Sequence, residues 1–128
     1  MPRKGLLVLR AGCIVMACGA IERPRVFPGN DRPGVMLAGA VGAYVNRYGV
    51  IAGRRTVFAT NNDAAYFDAV ALAKAGAQVI LADLRQQSRP ELVAMAKTAG
   101  VDVQLSTAVT STKAVSYTPL TMPTIYSV

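Results

Sequence analysis

Two short stretches of this 128-residue sequence hold residue types in an order that could do chemistry. The first is Thr60-Asn61-Asn62-Asp63-Ala64-Ala65, set between an apolar run and a segment of helical character. A dinucleotide-binding turn places glycines there, so that backbone can approach a pyrophosphate and the helix N-terminus can face the anion. Here Thr60 and Asn62 take the first two glycine positions and Ala65 the third. Alanine at the third still allows close helix–strand packing. Asn62 adds a side chain where phosphate approaches, and Asp63 puts negative charge beside it. Asp83 ends the next predicted strand, at the separation expected of a ribose-binding acid. Taken alone, Asp83 also reads as an ordinary solvated carboxylate. The second stretch is Ile14-Val-Met-Ala-Cys-Gly-Ala20, an apolar run ending in a turn where Gly19 permits close approach of backbone to a cofactor. Any strand followed by Gly-Ala would look the same. The candidate cofactor-binding residues are therefore Gly19, Ala20, Thr60, Asn62 and Asp83, with no catalytic residue and no metal ligand among them.

Other chemistries are excluded by composition. The sequence has no histidine, so it holds no Ser-His-Asp triad, no Cys-His pair and none of the usual zinc sites. Cys13 and Cys18 fall on one predicted extended run. At about 3.3 Å rise per residue their α-carbons would stand roughly 16 Å apart, whereas a disulfide needs about 7 Å or less. Two small buried thiols are the expectation. The net charge is +7, but the basic residues are scattered as Arg3/Lys4, Arg23/Arg25, Arg54/Arg55 and single positions. Without a stripe or aromatic interleaving, no nucleic-acid partner is expected, and an anionic nucleotide fits better. Hydrophobic residues make up 52% and the mean hydropathy is +0.34, apolar for so small a domain. A piece of a larger protein would look like this, because surfaces covered by neighbours count as its own. The longest weakly polar run, Gly34 to Val45, falls short of the about 20 residues that span a bilayer. No cleavable leader is legible after Met1-Pro-Arg-Lys, so no membrane partner and a cytoplasmic location are expected.

The elements that must carry these residues follow from periodicity. Leu6 to Leu9 and Cys13 to Ala17 read as strands. Glu22 to Gly34, with three prolines and two glycines, reads as a stiff crossing loop. Val35 to Tyr48 reads as a helix with a stripe of small residues for close packing and Gly49 as its stop. Then the types alternate. Arg55 to Thr60 is a strand and Asp63 to Ala75 a helix capped by Asn62 or Asp63. Gln78 to Ala82 is a strand. Ser88-Arg-Pro-Glu91 has the form of a capping box opening a helix to Ala99, and Val101 to Leu105 is a strand. This is βαβαβ, the half-unit of a doubly wound parallel sheet, with right-handed crossovers. The expected class is α/β, a partial fold of the type with two dinucleotide-binding domains.

One long stretch carries a family resemblance. Ala17-Cys-Gly-Ala-Ile-Glu-Arg-Pro-Arg-Val-Phe-Pro-Gly-Asn-Asp-Arg-Pro-Gly-Val-Met-Leu-Ala38, followed by Tyr44-Val-Asn-Arg-Tyr-Gly-Val50, resembles the alpha subunit of heterotetrameric sarcosine oxidase. The similarity runs from about Leu6 to Lys113. Opine and cyanide-forming dehydrogenases share the Gly-Ala-x-Glu-Arg-Pro portion; Asn30-Asp-Arg-Pro-Gly34 and Asn46-Arg-Tyr-Gly49 favour sarcosine oxidase. The resemblance implies a four-subunit complex that oxidatively demethylates sarcosine to glycine, giving hydrogen peroxide and formaldehyde, or methylene-tetrahydrofolate with folate. It implies NAD in this subunit, and FAD, FMN and tetrahydrofolate in the complex. Gly19 and Ala20 match the Thr-Gly-Ala turn that closes the first nucleotide domain; Cys18 departs from the threonine, losing a hydroxyl donor. The resemblance places the family's glycine fingerprint far upstream and its folate domain far downstream, and neither falls within these 128 residues.

The expected organisation is closing strands and crossing loop of a first nucleotide-binding domain over residues 1–34, and a linking helix with a half-Rossmann unit over 35–113. Residues 114–128 are expected to be a non-native tail, since Val115-Ser-Tyr-Thr-Pro-Leu-Thr-Met-Pro-Thr resembles one reading frame of a transposase sequencing adaptor, departing at Pro119 and Met122. The segment alone should be inactive, its partners being the other subunits of a hetero-oligomeric oxidase and a small-molecule substrate. Two alternatives stand beside this reading: a piece of an opine or pyridine-nucleotide dehydrogenase, and a degenerate nucleotide fold that serves only as an assembly surface.

Overall fold

A computed structural model of the chain describes residues 5–6 and 8–112; the adaptor-like stretch lies outside them. Helix α1, Ala38–Tyr48, begins three residues later than its periodicity suggested. Val35 instead closes a turn onto the Arg32 carbonyl, and Leu37 is extended. The helix stops at Gly49, whose left-handed conformation (φ 64°) turns its N–H and that of Val50 back onto the last free carbonyls.

The alternating elements then follow: β1 Arg55–Thr60, α2 Ala64–Lys74, β2 Gln78–Asp83, α3 Pro90–Thr98 and β3 Asp102–Gln104. Among the described residues the strands form one parallel sheet in the order β1-β2-β3. Thr60 pairs with Asp83 at the carboxyl end of the β1–β2 ladder, and Ala82 with Gln104 in the next. The α/β class and parallel half-sheet are as the sequence indicated. β3 is shorter than expected because Ser106 turns away with positive φ, its N–H bonded to the Arg85 carbonyl. The capping box at Ser88 does not form. Arg89 is the N-cap of α3 without a side-chain bond, and the Ser88 hydroxyl accepts from Arg85 instead.

The core lies between the sheet and the helices. Phe58, Val79 and Leu81 meet Tyr66, Ala69 and Leu72 of α2, with Val41 from α1 and Ala96 from α3. α2 sits centrally, packing on α1, α3 and both β1 and β2. The opposite sheet face is less covered: Ile80, which pairs with Val57, is exposed. A parallel sheet normally buries both faces.

The N-terminal part differs most from expectation. The described residues of 5–21 contain no strand, and Leu6, Ile14, Val15 and Met16 are exposed. A strand exists only where another strand completes its ladder, and nothing among the described residues does so. Cys13 and Cys18, expected to be buried, are free and exposed for the same reason. The crossing loop is better tied. Phe27 is buried, and Thr112 donates its N–H to the Pro28 carbonyl and its hydroxyl to that of Gly29. No helix of the described residues is long and apolar enough to cross a membrane.

A bare sheet face and an unpaired apolar segment leave little margin for stability. The chain expressed by itself should unfold near room temperature or without a sharp transition. A cooperative melt well above room temperature, followed by circular dichroism, would contradict this.

Candidate functional site

The turn after β1 is organised by its own side chains. Thr60 is fully buried; its hydroxyl accepts the N–H of Asn62 (3.1 Å) and donates to the Asn62 carbonyl (3.2 Å). The Asn62 side-chain oxygen accepts the N–H of Ala64 at 3.0 Å, so it, rather than Asp63, satisfies the start of α2. This N–H is one that a bound phosphate would otherwise approach.

Asp63 faces away from capping and into an ion-pair cluster. Arg85 Nη1 stands 2.7 Å from Asp63 Oδ1, and Arg89 Nε 3.2 Å from Oδ2. Asp83, expected solvated, is fully buried instead. Its Oδ2 accepts from the Tyr66 hydroxyl (2.8 Å) and from Arg85 Nη2 (2.8 Å). Its Oδ1 accepts from the backbone N–H and Nε of Arg85, both at 3.0 Å. Burial by itself would raise the Asp83 pKa, but the Arg85 hydrogen bonds outweigh it and hold the carboxyl below its ordinary value. Burial pushes the Tyr66 phenol up, opposed by a hydrogen bond with Ser88 and reinforced by Asp83. Hydrogen bonding to Asp83 likewise raises the Arg85 guanidinium. Arg85 was not singled out from the sequence. Its position two residues past the strand-end acid, with Ser88 and Arg89 close behind, is the signal that could have found it.

Two of the candidate residues, Ala20 and Asn62, meet across a cavity of about 640 Å³. Ala20 lines it from one side and Asn62 with Ala65 from the other; Glu22, Arg25 and Asp68 also reach it. The structure thus brings the Gly19–Ala20 stretch and the β1–α2 turn to one space. Gly19, Thr60 and Asp83 are not on its wall. Gly19 is left-handed (φ 67°), with open space where a side chain would point. Arg25 Nη1 is buried with no hydrogen-bond partner among the described residues.

Glu22 is a second residue the sequence reading missed. Its two carboxylate oxygens accept the N–H groups of Ala38 (3.0 Å) and Gly39 (2.9 Å), capping α1 from sixteen and seventeen residues away. Asp68 of α2 lies against the same helix at Gly42, so closely that a Cβ there would collide with it. Burial, and then the charge of Glu22, raise the Asp68 pKa. No group of three or more potential metal ligands occurs among the described residues.

The chain is 46% identical over 112 residues to the sarcosine oxidase subunit alpha of Corynebacterium sp. strain P-1, a match covering 88% of the chain. It is 51% identical over 80 residues to the subunit of the same name from Rhizobium meliloti, covering 62% of the chain. The chain matches as an internal segment of sarcosine oxidase alpha subunits. It spans about 12% of the length of the first relative and 8% of the other. Among solved structures, the bacillithiol disulfide reductase Bdr from Bacillus cereus superposes with a TM-score of 0.52 at 13% identity, over 79% of this chain and 34% of that one. That likeness concerns the fold alone and agrees with a partial Rossmann-like unit. No family model matches the chain.

The buried carboxylate gives a sharp expectation. Arg85→Ala should cost about 3 kcal/mol at pH 7, because Asp83 is left as a buried charge without its cation. A carboxyl held below its ordinary value contributes stability above about pH 4, which is lost as pH falls through the lower folded value. The deficit of the variant should therefore shrink in acid. Urea titrations of the full-length subunit at pH 7 and pH 3 would show this, and equal stability at pH 7 would refute it.

Proposed function

We propose that this chain is a nucleotide-fold segment of an amine-oxidising oxidoreductase subunit of the sarcosine oxidase alpha type. The whole complex would oxidatively demethylate sarcosine to glycine in the cytoplasm. The observation that carries the cofactor side of this reading is the cavity joining Ala20 to Asn62, beside Arg25. Its volume is large enough for much of a dinucleotide. Arg25 lines this cavity and offers a guanidinium whose buried Nη1 has no hydrogen-bond partner among the described residues, a cation suited to a pyrophosphate. In this reading NAD lies along the Gly19–Ala20 stretch, while Thr60 and Asp83 shape the neighbouring turn without touching it. NAD would supply a hydride acceptor. The chain's own residues would bind and orient it, and no described residue stands as a catalytic acid, base or nucleophile. Flavins, tetrahydrofolate and the amine itself would be handled by other parts of the complex and its other subunits, so the segment by itself would be inactive.

A second reading is favoured by one specific observation. Asn62 satisfies the first N–H of α2, and Arg85 joins Asp63 to Asp83 across the space where a ribose and phosphate would sit in the half-Rossmann unit. That half-unit would then be a packing module, with no dinucleotide at its own β1–α2 turn. The two readings are compatible, because the proposed NAD lies on the Ala20 side.

The test uses the full-length subunit assembled with its partners. Ala20→Phe narrows the cavity without removing any hydrogen bond seen in the structure. It should weaken NAD binding, measured by calorimetry, by about tenfold or more, the equivalent of some 1.4 kcal/mol. Retained affinity would place the dinucleotide elsewhere. Sarcosine-dependent peroxide formation by the wild-type complex is expected, and its absence with sarcosine and other N-methyl amino acids would overturn the parent activity.

A further inference from the structure

The crossing segment and the half-Rossmann unit meet at α1, and the meeting point has an unusual construction. The helix begins at Ala38 without a local cap; Leu37 offers no side-chain acceptor. The first free N–H groups are instead taken by Glu22, which stands three residues after Gly19. Two glycines on one face of α1 make room for this. A Cβ at Gly39 would press on Glu22 Oε2 at 3.1 Å, and one at Gly42 would collide with the Asp68 carboxylate. Positions i and i+3 share a helix face, so the stripe of small residues holds two carboxylates side by side. One comes from the crossing segment and one from α2.

We propose that Glu22 is the positioning residue of the cavity: seated on the first turn of α1, its carboxylate holds the Gly19–Ala20 stretch at a fixed distance from the first turn of α2. The argument is geometric. α1 packs on α2, and α2 carries Asn62 and Ala65 to the far wall of the cavity. A carboxylate with both oxygens bound to α1 allows little sliding of residues two and three positions before it. The helix dipole favours the charge at this end. Other charged groups on the cavity are Arg23 and Arg25 from the crossing segment and Asp68 from α2; α1 contributes none. Burial and the like charge of Glu22 both raise the Asp68 pKa, so the two acids share this face with Arg23 and Arg25 close by. The consequence for dinucleotide binding rests on the cofactor reading above; the clamp itself does not.

The full-length subunit in its complex separates the two. Hydrogen–deuterium exchange should show the Ala38 and Gly39 amides protected in the wild type. Glu22→Ala should speed exchange at these two positions by about tenfold, the size of effect that loss of a cap produces. It should also weaken NAD binding by a similar factor. Glu22→Gln keeps one acceptor oxygen where the carboxylate has two, so it should recover only part of both losses. Unchanged exchange at Ala38 and Gly39 in Glu22→Ala overturns the clamp. If exchange quickens and Ala20→Phe weakens NAD binding while Glu22→Ala does not, the clamp exists but positions nothing, and the proposal fails. If neither variant affects NAD binding, it is the cofactor reading that fails. The clamp is then judged by exchange and by trypsin cleavage after Arg10 and Arg25, which should quicken in Glu22→Ala and recover in part in Glu22→Gln.

Discussion

The half-Rossmann unit depends on how Asp83 is neutralised. A carboxylate at the end of β2 has been taken out of water entirely, which is costly for an ion unless it is paired and fully hydrogen bonded. Arg85 meets that demand with its backbone N–H, Nε and Nη2, and Tyr66 adds a hydroxyl from the first turn of α2. The same guanidinium reaches Asp63. One cation therefore fixes the end of β2, the start of α2 and the loop between β2 and α3. Its planar fork is what makes this possible; a lysine could serve one of these acceptors well, but not all.

That arrangement also bears on what the turn after β1 can hold. In a dinucleotide fold, the helix N-terminus and the strand-end acid wait for a ligand. Here Asn62 has taken the helix N–H, and Arg85 has taken the acid. The site is filled by the chain's own groups and its charge pattern is reversed, with Asp63 beside the helix start. The open space lies instead on the side of Ala20 and Arg25, between the crossing segment and α2.

α1 serves a different purpose from the sheet elements. Its glycines bring two acids to within touching distance of the helix, so that it acts as a joint between the exposed N-terminal segment and the packed unit. The crossing loop is fastened a second time by Thr112 at Pro28 and Gly29. A left-handed Gly29 is required there, since any Cβ would meet Thr112.

The order and type of elements from Ala38 to Gln104 were legible in the sequence, because period, glycine stops and apolar strands are local properties. The stop at Gly49 and the three parallel strands follow from such patterns. Capping was less legible: Asn62 was seen as a cap, whereas the Ser88 box failed because Arg85 drew the hydroxyl away. The strands expected up to Ala17 are not found among the described residues, since a strand requires a partner that local sequence does not supply. For the candidate site, the sequence by itself identified Gly19, Ala20, Thr60, Asn62 and Asp83 as residues of the right kind. Only the tertiary structure decided that Ala20 and Asn62 face one cavity, that Thr60 and Asp83 turn inward, and that Glu22 and Arg85 hold the parts together. Those outcomes depend on groups that lie apart in sequence: Tyr66 and Asp83 across a crossover, and Glu22 and Ala38 across a loop. Hydrogen bonding over such separations is set by how the elements pack, and no local pattern encodes it.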